Sequence, residues 1–380
     1  MASARLTSVD LLRGCALAGM IVVHFHIHSI ESLAGLSDII RTLVWRLVEE
    51  KAHGTFALLF GAGFALMMRN AEARGAPFVR IYLRRLAALA AFGFIAHAGF
   101  GFNVLIGYAV WGVPLLFVRH WSTRKLIALA VVSAGSVTLY AALRALYWYM
   151  TLGPDGLEAA GSAVVATGRH VREALAAAEA GTSYAALFAA RLDHMAWFYR
   201  QPFSIMPGAT LTLFITGLLF LRHGLFERPL EHVRVIAGLM IFGLLSWLAE
   251  VFLDVPFLGL IRGQWLTFTY VGAALLLLAW RPVWQQRLSA VGQAGRMALT
   301  NYLAQIAVVD VLFSGYGVGL PPIHAGWGLV MAMTLFAGLA AFSVWWLRTF
   351  RYGPAEWLWR RLTYGGNALP SGEPIWPRIN

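Results

Sequence analysis

Side chains suited to acid–base chemistry stand inside, and at the mouths of, long apolar runs in this sequence. The first run opens with Asp10 and Arg13 and closes with His24, His26 and His28. An ionisable group in or at the edge of hydrocarbon is costly, so function is its default reading. On a helix Asp10 and Arg13, spaced i, i+3, share a face and can pair. The plain alternative is a helix-start acid favoured by the macrodipole, beside an arginine reaching for headgroups. Of the histidines, only His24 and His28, spaced i, i+4, share a face. Imidazole titrates near neutral pH, so the pair could act as base and partner, could bind a metal, or could be solvated at the interface. No H-E-x-x-H or similar signature accompanies them, and no metal is expected.

Further polar groups recur downstream. Lys51 and His53 precede the second apolar run and fall on the same side as the histidines of the first. His97 lies inside the third run, close to Asn103 and Tyr108 at the following turn; it reads either as a base or as a hydrogen-bonding strut. In the ninth run Asn301 and Gln305 share a face, where amides either position a substrate or join helices. Asp310 joins the titratable group if its helix packs on the first. Arg80, Arg84 and Arg85, with the last basic helix, could form a surface for an anionic cofactor such as coenzyme A. Gly61 and Gly63 read as points of close helix approach.

The elements that must position these groups are membrane spans. Of 380 residues 59% are hydrophobic and only 13% charged, and mean hydropathy is +0.67, far from the roughly one-quarter charge of soluble chains. The net charge of +12 lies between apolar runs, which points to topology and lipid contact and away from nucleic acid. With about 20 residues per crossing, ten spans are expected: roughly 11–28, 54–68, 82–100, 103–118, 126–149, 205–221, 235–253, 264–280, 298–315 and 325–347. Most of the 30 Lys and Arg residues fall in alternate connections, which places both termini in the cytoplasm. The expected fold is therefore an all-α, polytopic helical bundle, one domain over residues 1–365, with 366–380 a disordered tail. The only long connection, 150–203, lies on the outer side, as one or two amphipathic helices or as a solvated linker. The lone Cys15 excludes an intrachain disulfide, and Asp10 and Arg13 favour an uncleaved first helix over a signal peptide. Self-association into a homo-oligomer is left open.

Several stretches together resemble a family. Asp10-Leu11-Leu12-Arg13-Gly14, Leu58 to Phe64, Arg84-Arg85 with His97, Gly295 to Leu303, and Gly353 to Arg360 are similar to the YeiB-like bacterial membrane proteins over nearly the whole chain. The first helix also resembles that of heparan-α-glucosaminide N-acetyltransferases. The resemblance implies a multi-pass protein of the bacterial cytoplasmic (inner) membrane and a transmembrane acyltransferase. Such an enzyme moves an acyl group from cytosolic acyl-CoA, its co-substrate, to a small-molecule or lipid-linked acceptor hydroxyl or amine at the far face. In those relatives a histidine just beyond the first helix acts in transfer; His28 is the nearest match, and His24 stands where the family usually has Asn. The usual Gly-Asp before the fourth span appears as Phe102-Asn103.

On this expectation His24 or His28 with His97 supplies the base and Asp10 orients Arg13. Arg13, Arg84, Arg85, Arg296 and Arg360 hold the cofactor phosphates. Lys51, Asn103, Tyr108, Asn301 and Gln305 face the substrate. The competing expectations are a transporter or flippase for a small metabolite or lipid-linked intermediate, and a non-enzymatic membrane partner.

Overall fold

The computed structural model describes residues 7–30, 35–102, 104–201, 208–253 and 263–365. Among these residues the chain is helical, and its β-structure is an isolated parallel bridge between Ser29 and Ile323. Helix α1 (Thr7–His26) is followed by α2 (Leu36–Val44), which continues through a π-helical turn into α3 (Glu50–Glu72). Next, α4 (Phe78–Phe100) and α5 (Val104–Val118) form a hairpin, and α6 (Thr123–Ala180) precedes α7 (Tyr184–Arg200) and α8 (Gly208–Arg222). Beyond α9 (Val233–Leu253) and α10 (Leu266–Trp280), the short α11 (Val283–Arg287) and α12 (Ser289–Arg296) lead into α13 (Ala298–Phe313). The chain closes with α14 (Ala325–Trp346) and α15 (Pro354–Tyr364).

Each apolar segment expected from the sequence falls on a helix. Five helical segments are long and apolar enough to cross a membrane, and α12 with α13 would make a sixth if that bent pair is one span. Burial is inverted relative to a soluble protein. Phe117 and Phe252 are each 77% exposed, while Lys51, Asn301 and Gln305 are buried. Such an exterior suits lipid, in which helices satisfy their own backbone. The chain is a helical membrane protein.

Boundaries move in two places. The second span is longer than its apolar core, because Glu49, Glu50 and Lys51 continue the helical run rather than ending it. The long connection is helical too: α6 runs on to Ala180 and kinks at Gly153, whose φ of 72° is the left-handed conformation that glycine tolerates. The 366–380 tail lies outside the described residues.

Four of the stretches that carry the family resemblance, Asp10–Gly14, Arg84–Arg85, Gly295–Leu303 and Gly353–Arg360, meet at one end of the bundle. There α12 and α13 join at 85°, and the first N–H groups of α13 have no partner within their own helix. Glu356 of α15 supplies one, accepting from the backbone N–H of Leu299 at 2.6 Å and of Thr300 at 3.1 Å. The Thr300 hydroxyl donates to the same carboxylate at 2.5 Å and accepts from the Ala355 N–H at 3.0 Å. Across the bend, the Asn301 amide donates to the Ala294 carbonyl at 3.1 Å and to the Ser343 hydroxyl of α14 at 2.9 Å. Helix α12 presses on the start of α1 so closely that a Cβ at Gly295 would overlap the Asp10 carbonyl. The Trp359 indole donates to the Arg85 carbonyl at 3.0 Å, and the Arg85 guanidinium lies 4.1 Å over that ring. A second tight crossing joins α3 to α8, where Gly61 abuts the Phe214 backbone; Gly63 faces open space instead.

Glu356→Ala is expected to strand two helix N–H groups, at a cost of about 1–3 kcal/mol, and to lower the unfolding midpoint of the detergent-purified protein. Glu356→Gln keeps an acceptor and loses less. Burial raises the Glu356 carboxyl above its ordinary range, and its bonds to Thr300 and Leu299 pull it partly back. Because the folded value is the higher one, this group's protonation-linked stability is full below the unfolded value and falls as pH rises through the folded one. That slope should flatten in Glu356→Gln, read from midpoints measured across acidic to neutral pH.

Candidate functional site

At the end where α12 bends, arginines collect. Asp10 is buried and pairs with Arg13 at 3.3 Å, as their spacing predicts. Arg85, turned inward over Trp359, has Arg360, Arg13 and Tyr364 as electrostatic neighbours. Arg360 lies 4.3 Å over the Tyr352 ring, and Arg296 reaches the Arg351 carbonyl at 3.5 Å. Arg84, although adjacent in sequence to Arg85, is exposed and lines a different groove with Arg80 and Arg119. All five expected cofactor arginines therefore lie at this end around α15: four group near Trp359 and Tyr352, and the Arg84 guanidinium lies beside Gly365, where α15 ends.

Between the ends runs a polar interior. His24 is 3% exposed, with its ring 4.1 Å from Phe102 and 6.2 Å from Tyr302. Its Nδ1, the Tyr302 hydroxyl, the Asn301 carbonyl oxygen and both polar atoms of the Gln305 amide are buried without a hydrogen-bond partner among the described residues. Unpaired buried polar groups are uncommon and call for a specific explanation. His53 and His28 are electrostatic neighbours of His24, and the Tyr108 hydroxyl donates to the His53 carbonyl at 2.7 Å. Lys51 is buried on α3, with Glu50, Glu250 and Glu49 among its electrostatic neighbours.

Asn301 and Gln305 differ despite sharing a face. The Asn301 amide nitrogen is committed to Ala294 and Ser343, so it braces the bend, while Gln305 remains available. Asp10 and His24 are separated by fourteen residues of one helix, about 21 Å at 1.5 Å per residue. The acid and the histidine thus serve opposite ends. Asn103 lies outside the described residues.

The histidine end holds a cavity of about 530 Å³ lined by His28, Phe102, Glu179, Arg191, Asp310 and Phe313, among others. His28 stacks on Phe313, 4.1 Å between centroids and nearly parallel. It lies in the turn beyond α1, outside the span; burial lowers it to about 4 against the opposing pull of Asp310. At neutral pH its ring is uncharged and can accept a proton. Asp310 does join this group, because α13 packs on α1, but every one of its lone pairs is in use. Arg191 binds it through both guanidinium nitrogens, one at 3.2 Å, and Ser314 and Tyr316 each donate at 2.7 Å. Arg191 also donates to the Gly99 carbonyl. His97 turns away from His24 and toward α7, 6.0 Å from His194 and 6.4 Å from Tyr199.

Sequence reasoning missed Arg191 and Tyr302. Arg191 sits in the Ala-rich connection, where nothing in the local pattern marks a buried cation. Tyr302 stands between two amides that drew attention by their polarity, and an aromatic in an apolar run gives no such sign.

Comparison with known proteins divides the chain. Residues 5–154 match the family described as heparan-alpha-glucosaminide N-acetyltransferase, catalytic, and residues 220–366 match the family described as protein of unknown function (DUF418). Protein YxaH of Bacillus subtilis (strain 168) is 27% identical over 95% of this chain and 94% of its own. A 39.9 kDa protein in the amylase 3' region of Bacillus acidopullulyticus is likewise 27% identical, over 95% of this chain and 94% of its own. Protein YeiB of Escherichia coli (strain K12) is 49% identical over 76 residues, which is 20% of this chain and 19% of that one. No solved structure matches. The resemblance to YeiB-like proteins and to the N-acetyltransferase catalytic region is thereby borne out.

Arg191→Ala leaves Asp310 buried and uncompensated, for which about 3–5 kcal/mol is the usual cost. The expected outcome is a large fall in unfolding midpoint, with the paired variant Arg191→Met/Asp310→Leu recovering most of it. Thermal unfolding in detergent measures both.

Proposed function

We propose that the protein is a transmembrane acyltransferase of the bacterial cytoplasmic membrane, with ten crossings and both termini in the cytoplasm. It takes an acyl group from cytosolic acyl-CoA and delivers it to an acceptor hydroxyl or amine at the histidine end. The observation that carries this reading is the row of unpartnered buried polar atoms on His24, Tyr302, Gln305 and Asn301, lying between the arginine end and the outer cavity. The likeness of residues 5–154 to an acetyltransferase catalytic region supports it.

In this reading Arg13, Arg85, Arg296 and Arg360 hold the phosphates of the nucleotide, where guanidinium forks suit phosphate oxygens. The pantetheine arm, with its amides, enters the interior and supplies the partners that Gln305 and Asn301 lack. His24 Nδ1 then accepts the proton of the acceptor as its oxygen or nitrogen attacks the thioester carbonyl. The carbon–sulfur bond breaks, and the departing thiolate takes that proton back. The Tyr302 hydroxyl and the Gln305 N–H groups are the donors available to the developing oxyanion. His28, neutral at the cavity mouth, receives the acceptor and passes it inward. Asp310, saturated by its four bonds, holds the cavity wall and moves no proton. Lys51 and Tyr108 border the interior from α3 and α5.

A second reading has one observation of its own. The 85° break between α12 and α13 is the kind of discontinuous helix that forms substrate sites in transporters. Flux of a small metabolite into proteoliposomes without acyl-CoA would favour it.

The purified full chain, given acyl-CoA and a panel of amino sugars, sugars and lipid-linked alcohols, should release free thiol in an acceptor-dependent way. His24→Gln should reduce kcat by about 10²-fold or more, the usual worth of a general base. Arg85→Gln should chiefly raise KM for acyl-CoA. Thiol release that ignores the acceptor, or that is unchanged in His24→Gln, rules the assignment out.

A further inference from the structure

The arginine end carries a second cationic feature that the proposed chemistry does not use. Where α3 ends, α4 begins and α5 ends, a groove of about 730 Å³ is lined by Arg80, Arg84 and Arg119 together with Val79, Leu83 and Glu72, among others. Arg80 and Arg84 are one turn apart on α4 and both exposed. Val79 and Leu83 on the same helix are 41% and 45% exposed, and Phe117 and Trp121, flanking Arg119 in sequence, are 77% and 41% exposed. A cationic rim and an outward apolar wall are thus continuous, and Trp121 is of the type that settles at headgroup depth.

We infer that this groove is a binding site for an anionic phospholipid, its phosphate held among the guanidiniums of Arg80, Arg84 and Arg119 and one acyl chain lying along Val79 and Leu83. Three guanidiniums outweigh the single carboxylate of Glu72, so a phosphate is the complementary charge. A soluble phosphate compound would satisfy the arginines but leave the apolar wall uncovered. The split between Arg84 and Arg85 follows: two adjacent residues on a helix point about 100° apart, so Arg85 stacks on Trp359 of α15 while Arg84 reaches the groove beside Gly365 at the end of that helix. None of Arg80, Arg119, Val79 or Leu83 has a part in acyl transfer, so the inference stands or falls apart from that reading.

Native mass spectrometry of the full chain in neutral detergent tests it, with added phosphatidylglycerol, phosphatidylcholine or glycerol 3-phosphate. Phosphatidylglycerol should be retained roughly tenfold better than phosphatidylcholine, in keeping with the attraction of basic residues for anionic lipid. R80Q/R119Q should erase that preference and R80Q alone should weaken it, both with unfolding midpoints like wild type. R281Q, at an exposed arginine outside the groove, should keep it. Equal retention of the two lipids, or an undiminished preference in R80Q/R119Q, overturns the site. Displacement of phosphatidylglycerol by equimolar glycerol 3-phosphate overturns the lipid assignment in favour of a soluble phosphate.

Discussion

One carboxylate holds the arginine end together. Glu356 receives two backbone N–H groups and a hydroxyl from the first turn of α13, and that turn exists only because the chain bends by 85° after α12. A helix that starts inside a membrane protein must find partners for its first amides, because no water is at hand to supply them. Placing the cap on α15 makes the last helix part of the fold, and Trp359 extends the tie to α4 through the Arg85 carbonyl. Removing that carboxylate would therefore loosen α13, α15 and the seating of α12 on α1 together. The position of Asn301 across the same bend follows from the same need.

At the other end the corresponding tie is the buried pair Arg191–Asp310. A buried ion pair is weak evidence of stability in itself, because desolvation offsets much of the attraction. Its consequence here is geometric. It draws α7, from the connection outside the spans, onto the ends of α4 and α13, and closes one wall of the cavity that His28 faces. The connection is therefore part of the wall of this cavity, through Glu179, Ala180 and Arg191, and a solvated linker could not have formed it. Between these two anchored ends His24 Nδ1, the Tyr302 hydroxyl, the Asn301 carbonyl oxygen and the Gln305 amide have no hydrogen-bond partner among the described residues.

Much of the helical layout was legible, because apolar runs bounded by arginines report spans directly, and each expected run lies on a helix. The pairing of Asp10 with Arg13 and the packing of Asp310 near His28 also followed from spacing and helix order. Lengths were less legible. Glu49, Glu50 and Lys51 look like the boundary of a run, yet they continue the helix. Side-chain direction was the least legible. Arg84 and Arg85 are equivalent in sequence and divergent in space, and His97 faces α7 because of a long-range contact that no local pattern encodes. Arg191 was invisible for the same reason: its partner lies over a hundred residues away.

Two of the positions where this chain departs from the pattern it resembles, His24 and Phe102, touch, with ring centroids 4.1 Å apart; the third, Asn103, lies outside the described residues. A single departure at a buried polar site costs stability or function, whereas two that meet can compensate, since neighbours in contact couple energetically. An aromatic ring at position 102 gives the larger imidazole at position 24 a surface to pack on, and in doing so it leaves His24 Nδ1 pointing into the interior without a partner. Where the pattern has an amide and a flexible glycine, this chain has a ring held by a ring. The consequence is an imidazole of restricted rotamer freedom set near Tyr302, so the departure that made the first helix look irregular is also what fixes the orientation of its histidine.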